Sequence, residues 1–365
     1  MRILFLTRRY PPSTGGLQNA AYEFHKALAA NRDNQVELIK WGGSNHLLPF
    51  VYVWMLLKAL KSGFVKRPDV IYLQDGMMAP MGSILKLFLR RPTVITIHGK
   101  EATYGNPLYK IMVPPFVPRQ DVLVTISEDT KQTVLRAFPG AKPIIIYHGV
   151  GDDFRTPGSR SDHRAKLAHM TGIPLERLKK AKILHTNGRL VRRKGVLWFV
   201  DNVLPRLVAD DPNILYLVSG DGKDRELIRA AIAERGVGEN VELLGKVPQA
   251  LLNQLYNTAD IFVMPNIPVK SDMEGFGLVA EEAASCGAMV VASNLEGIAD
   301  AIVDGKNGML IKPGDADAYV KTIQRELKHR SISPDAVRRY TLDHYSWSES
   351  ARQYEAVMQQ LVKKY

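Results

Sequence analysis

Six short runs in the first half of the chain are almost continuously apolar: RILFLT at 2–7, VELIKW at 36–41, DVIYLQD at 69–75, TVITIHG at 93–99, DVLVTIS at 121–127 and PIIIYHG at 143–149. Runs of this length without strict alternation predict strands covered on both faces, as in a parallel sheet. Between the first two, Leu17, Ala20, Ala21, Phe24 and Leu28 recur at the spacing of one helix face. The pattern lapses over 151–181, a polar stretch with Pro, Gly and Ser, and a domain boundary is expected within it. It restarts with KILHTNGRL, ILYLVSG, VELLG, DIFVMPN, MVVAS and GMLI, each separated by a helical stretch. Such repetition implies right-handed crossovers. The expected fold is therefore α/β, with two Rossmann-like, doubly wound parallel-sheet domains facing across a cleft. Their expected bounds are 1–165 and 166–345. An amphipathic helix over 346–365, capped by Ser346 or Ser348, follows.

Composition changes this picture little. The 365 residues exceed one ordinary core, and 45% hydrophobic with 24% charged residues is globular material. A single cysteine, Cys286, excludes an intramolecular disulfide framework and suits a reducing cytoplasm. The opening MRILFLTRRYPP has too short an apolar run for a signal-peptide core and reads as a first strand. The net charge of +12 calls for an anionic partner: nucleic acid, lipid or a phosphate-rich ligand. Without zinc-ligand spacing, an RNA-binding aromatic signature or a long lysine tract, no nucleic-acid partner is expected.

Candidate chemistry concentrates where strands meet helices. In SDMEGFGLVAEEAASCG (271–287), Glu274 ends a loop, and Gly275, Phe276 and Gly277 lead into a helix carrying Glu282. Free amides at that helix start, those of Gly277, Leu278 and Val279, suit a diphosphate. Glu282 then lies about one and a half turns into the helix, so the two carboxylates flank the phosphates. In GRLVRRKG (188–195), Arg189 and Lys194 follow the first strand of the second domain. Two cations there would neutralise a diphosphate as negative charge grows on a leaving group. Arg192 and Arg193 read as a solvated basic loop. PPSTGGLQ (11–18) places Gly16 between the first strand and helix, where backbone approaches a ligand. It lacks the GxGxxG spacing of a dinucleotide site, and no cofactor is expected. His98 ends the strand ITIHG, and His148 holds a comparable place in IYHGVGDDF. The triplet Asp315 to Asp317 reads as a helix start rather than a metal site, since carboxylates favour helix N-termini.

Together these motifs resemble glycosyltransferase family 4, retaining enzymes of the GT-B fold, over nearly the whole chain. The most specific part is EGFGLVAEE followed by SCGAMVVASNLEGIADAIVDGKNGMLI, in which Gly305 and Gly308 match the closing "dG.nG.lv". The resemblance implies that Glu274 contacts donor-sugar hydroxyls and Glu282 the ribose. By the same resemblance Arg189 and Lys194 bind the diphosphate, approached by Gly16, and His98 touches the sugar near its reacting carbon. Val247, in LGKVP, would line the base pocket, and the final helix would cross back to the first domain. IYHGVGDDF departs from the family, which often has Asn before the Gly-Val, and this weakens any role for His148 while leaving the cleft argument intact. The resemblance further implies a metal-independent hexosyltransferase. Its donor would be a GDP- or UDP-linked sugar, and its acceptor a glycolipid, a lipid-linked glycan or a surface polysaccharide. Competing readings are a nucleotide-sugar epimerase on the same scaffold and a non-catalytic nucleotide-sugar or membrane-binding scaffold. The first would need extra acid–base groups, and the second need not keep Arg189, Lys194, Glu274 and Glu282.

One segment falls outside this chemistry. HLLPFVYVWMLLKALKSGFVKRP (46–68) is unusually apolar yet carries Lys58, Lys61, Lys66 and Arg67, and MGSILKLFLRRP (81–92) repeats the theme. The lysines interrupt it too early for a bilayer span of about 20 apolar residues. A helix covering the first sheet accounts for most of its apolar positions. The basic flank adds the expectation of peripheral contact with an anionic membrane, on its cytoplasmic face.

Overall fold

All twelve apolar runs form strands in the computed structural model, which describes residues 1–365 apart from 14, 44–46, 104–106, 152 and 271. Four positions in the segments above, Thr14, His46, Asp152 and Ser271, therefore lie outside the described residues. The first six strands are β1 (Arg2–Thr7), β2 (Gln35–Lys40), β3 (Val70–Leu73), β4 (Thr93–Ile97), β5 (Val122–Thr125) and β6 (Pro143–Ile145). The second six are β7 (Lys182–Asn187), β8 (Ile214–Ser219), β9 (Val241–Gly245), β10 (Ile261–Met264), β11 (Met289–Ser293) and β12 (Gly308–Ile311). They build two six-stranded sheets, ordered β2-β1-β3-β4-β5-β6 and β12-β11-β10-β7-β8-β9. Every pairing is parallel, as the near-continuous apolar runs require.

Side chains alternate across each sheet with period two. In the first, Leu4, Leu6, Ile71, Leu73, Ile95 and Ile97 join one cluster, while Ile3, Phe5, Val70, Tyr72 and Val94 join another on the opposite face. In the second, Leu184, Tyr216 and Val218 face one cluster, and Ile183, Leu215 and Leu217 face the other. Helices must cover both faces, which is the doubly wound arrangement.

The chain divides into two compact units, Met1–Gly149 with Tyr345–Tyr365, and Val150–His344. The second unit thus starts upstream of the 165/166 position read from composition. The reason is the helix Arg160–Thr171, opened by a reciprocal Ser159–Asp162 capping box. Its Leu167 is fully buried with Ile183, Leu217 and Leu255 of the second unit.

The last helix, Trp347–Lys364, belongs to the first unit, with Ser346 accepting from the Glu349 amide as its cap. Trp347, Ala351, Tyr354 and Met358 are buried against the face that carries Ile3, Phe5 and Tyr72. Tyr354 stacks at a tilt on Phe24, 4.5 Å between ring centres, and its hydroxyl lies 2.7 Å from Thr96 Oγ1. That same oxygen lies 2.7 Å from the Tyr72 hydroxyl, so three buried hydroxyls satisfy one another. Truncation of an aromatic ring in such a place costs about 3–5 kcal/mol. Tyr354→Ala is expected to lower the stability of the first unit by that amount in urea denaturation. A loss below about 1 kcal/mol would show that the helix does not anchor the sheet.

Candidate active site

In the second sheet the chain order reverses between β7 and β10, which lie side by side. At such a switch point the loops beyond the carboxyl ends of both strands turn away from each other and leave a crevice. Here those loops are 188–195 after β7 and 265–277 after β10. They are locked together by backbone. Gly195 has φ +69°, and a Cβ there would stand 1.8 Å from the Pro265 carbonyl oxygen. The Ile267 amide donates to the Arg193 carbonyl at 3.0 Å. Only glycine fits this contact.

The consequence is a buried ion cluster. Lys194 Nζ lies 2.5 Å from Glu274 Oε2, and Arg193 Nη1 reaches the same oxygen. Arg193 Nε lies 3.2 Å from Asp272 Oδ1, and Asn266 Nδ2 donates to Glu274 Oε2 at 3.2 Å. Burial alone would raise the Glu274 carboxyl, but Lys194 first and then Arg193 outweigh it and draw it down to about 2. Burial lowers the Lys194 ammonium, and Glu274 opposes that shift. Arg193 is therefore a correction to the sequence reading: it is 6% exposed and paired, not solvated. Arg192 is exposed, as expected, and so is Arg189, which makes no ion pair with a described residue. The Glu274 amide donates to Glu296 Oε2 at 2.5 Å. Glu296 holds φ +51°, a conformation costing a non-glycine residue about 1 kcal/mol or more.

Beyond this loop the helix Leu278–Ser285 starts from Gly277, at φ +81° and without a side-chain cap. Leu278 and Val279 are partly exposed at its tip, whereas the Phe276 side chain is buried. Glu282 sits on the fifth residue of the helix. Tyr256 donates to its Oε2 at 2.7 Å, Asn187 Nδ2 donates to the Tyr256 hydroxyl at 3.0 Å, and Ser219 Oγ donates to Asn187 Oδ1 at 3.0 Å. Burial raises the Glu282 carboxyl to about 7, with the Tyr256 hydroxyl pulling the other way. Its neighbour Glu281 is fully buried, and neither carboxyl oxygen has a hydrogen-bond partner among the described residues. Burial and then Glu282 push Glu281 well above the usual carboxylate range.

The remaining candidates lie apart from this cluster. Val247 follows β9, and its partly buried side chain packs against the core cluster that holds Ile183, Leu217 and Leu255. Asp315 caps the helix Ala316–Lys328 by accepting from the Ala318 amide at 2.9 Å, and Asp317 pairs with Arg206. Among the described residues no three His, Cys, Asp or Glu side chains gather as a metal site.

Gly16 and His98 belong to the first unit, beyond the carboxyl ends of β1 and β4. A Cβ on Gly16 would meet nothing within 4 Å. His98 is buried, and its Nε2 lies 2.7 Å from the Gln74 carbonyl. Because a carbonyl only accepts, Nε2 carries the proton, and in the neutral ring Nδ1 is left as an acceptor. The His98 and His148 rings are 5.0 Å apart, and burial followed by His98 lowers His148 far below the ordinary imidazole value. The sequence reading passed over a second buried pair here, Arg8 Nε to Asp75 Oδ2 at 2.9 Å. Glu101 accepts from the His98 amide beside it, at 3.2 Å.

Burial sets the Glu282 titration and the Tyr256 hydroxyl holds it down, so Tyr256→Phe is expected to move it above its value of about 7. Carboxyl-selective NMR titration against Glu282→Gln, which lacks the signal, reads the shift. An unchanged midpoint would remove Tyr256 from the relay. The sign for stability follows from folding taking up a proton at Glu282: between about pH 4.5 and 7, the native chain should lose stability relative to Glu282→Gln as pH rises.

Comparison with known proteins identifies the family and the fold. Residues 38–154 match the family described as Glycosyltransferase Family 4, and residues 174–342 match Glycosyl transferases group 1. A GDP-mannose-dependent alpha-(1-6)-phosphatidylinositol monomannoside mannosyltransferase from Mycolicibacterium smegmatis is 26% identical over 94% of this chain and 95% of its own length. A glycogen synthase from Mycobacterium tuberculosis is 28% identical over 90% of this chain and 86% of its length. In fold, the Anabaena protein HepE, solved with UDP, superposes with a TM-score of 0.76 at 19% identity, covering 99% of this chain and 100% of that one. The chain belongs to glycosyltransferase family 4, the group 1 glycosyl transferases, and is a glycosyltransferase of the GT-B fold.

Proposed function

We propose that the protein is a retaining, metal-independent hexosyltransferase that takes a mannosyl or glucosyl group from GDP or UDP. The acceptor is a glycolipid, a lipid-linked glycan or a surface polysaccharide, reached from the cytoplasm at a membrane surface. The observation that carries this reading is the fixed positive charge at the switch point of the second sheet. Arg193 and Lys194 are held there by Glu274 and Asp272, and Lys194, Arg189 and the tip of the helix Leu278–Ser285 together receive the anion. The names of the relatives support the donor class: one depends on GDP-mannose, and HepE was solved with UDP. The lone Cys286 thiol suits a reducing compartment.

In the proposed reaction the bond between the sugar's anomeric carbon and the diphosphate oxygen breaks. The acceptor hydroxyl oxygen bonds to the same face of that carbon. Its proton passes to the departing phosphate oxygen, and a nucleoside diphosphate leaves. Arg189 and Lys194 stabilise the growing negative charge, while Glu274 holds sugar hydroxyls and Glu282 the ribose. Val247 borders the base, the backbone of Phe276, Gly277 and Leu278 cradles the phosphates, and His98 faces the sugar. The protein contributes position and charge more than proton transfer.

Thermal melting with GDP, UDP, ADP and CMP tests the donor reading, because a ligand of the native state raises its melting temperature. GDP or UDP is expected to give the largest rise; no rise with any of the four would sink the proposal. Arg189→Ala should leave the unliganded melting temperature unchanged, since the side chain is exposed and unpaired among the described residues. It should weaken nucleotide binding about tenfold or more, the loss expected for one charge-assisted contact. Gly16→Ala separates folding from chemistry. With no described atom within 4 Å of the new methyl group, stability should hold. Transfer should fall if a ligand approaches that backbone, and unchanged kcat/KM would remove Gly16 from the site.

A further inference from the structure

The helix Leu48–Lys66 has two apolar faces. Val51, Met55 and Ala59 are buried in the core beneath it, the ordinary role of a helix covering a sheet. Phe50, Val53, Trp54, Leu57, Phe64 and Val65 recur at helical spacing along the other face and are exposed, Phe50 at 78% and Leu57 at 62%. Beside it the helix Ala79–Leu89 exposes Leu87 and Phe88 while burying Met81 and Leu85. The two helices touch where a Cβ on Gly63 would lie 2.2 Å from Leu89 Cδ1. Single exposed apolar residues are common, but a run of them over two packed helices marks an interaction surface.

Charge selects the occupant. No acidic residue occurs between Glu37 and Asp69, or between Asp75 and Glu101. Lys58, Lys61, Lys66, Arg67 and Arg90 are exposed across these segments. Lys66 pairs with Glu37, and Lys58 Nζ lies 5.0 Å over the Trp54 ring, leaving its charge at the rim of the apolar stripe. A second copy packed on this face by two-fold symmetry would set basic residues against basic residues. Phospholipid offers both an apolar layer and phosphates at the depth such side chains reach. No helix among the described residues is long and apolar enough to cross a membrane.

We propose that this face docks the protein on the surface of an anionic phospholipid bilayer. The two helices lie in the interface, Phe50, Trp54, Leu57 and Phe64 enter the acyl boundary, and Lys58, Lys61, Arg67 and Arg90 meet lipid phosphates. The inference deepens the lipid-linked acceptor reading by naming the surface that brings the enzyme to such an acceptor. Its test uses neither donor nor acceptor, so the two can fail separately.

The experiment is co-sedimentation of the full chain with phosphatidylcholine vesicles, with and without phosphatidylglycerol. Strong binding to the anionic vesicles is expected, falling as salt rises. The exposed-face variant Trp54→Ser/Leu57→Ser/Phe64→Ser should lower partitioning about tenfold or more, because it removes the inserted apolar area. Its melting shift with GDP or UDP should stay that of the wild type, which separates docking from donor binding. Lys58→Glu/Lys61→Glu should lose the preference for anionic lipid. Brominated acyl chains should quench the wild type, and Trp54→Phe should lose most of that quenching while still sedimenting. No vesicle binding at low salt, or a triple variant that partitions like the wild type, overturns the proposal. So does self-association that the triple variant abolishes in a protein indifferent to vesicles.

Discussion

The second unit is organised around one carboxylate. Glu274 is held in a largely buried position by Arg193 and Lys194 on one side and by the Glu296 carboxylate at its own amide on the other. Removing one member of a buried pair leaves an uncompensated charge and costs about 3–5 kcal/mol, against roughly 0–1 kcal/mol for a surface pair. The loops after β7 and β10 are therefore not free to drift apart. The glycine contact at Gly195 and the ion cluster enforce the same geometry. In the proposed transfer a site built this way would arrive with its charges already in position, leaving little reorganisation for the moment of reaction.

Much of this was legible in the chain. Near-continuous apolar runs announced every strand, because a parallel strand covered on both faces has few acceptable residues. The polar lapse after residue 150 announced the division, though composition put the boundary inside the helix Arg160–Thr171, which packs with the second unit. Arg189, Lys194, Glu274 and Glu282 stood out because they flank glycines at strand and helix ends. The structure gathers them around the β7–β10 crevice, while Val247 sits beyond β9, and Gly16 and His98 sit in the first unit.

What stayed hidden was pairing at long range. Arg193 is one of three consecutive basic residues, and nothing local distinguishes the buried one from the exposed Arg192. Its partners, Asp272 and Glu274, lie about 80 positions away. Tyr256 reads as part of an ordinary helix face, adjacent to the buried Leu255, and its tie to Glu282 becomes visible only when the helices Gln249–Thr258 and Leu278–Ser285 meet. Arg8 and Asp75 likewise look like loop charges until β1 and β3 lie side by side.

The tail helix has a bearing on how the protein is made. Ile3, Phe5 and Tyr72 emerge early in synthesis, yet the side chains that cover them, Trp347, Tyr354 and Met358, are translated only after the whole second unit. The bond between Thr96 and Tyr354 spans 258 positions. Until then the nascent chain presents an uncovered aromatic face, the kind of surface to which chaperones bind, and the first unit reaches its final packing only after the second unit has been synthesised.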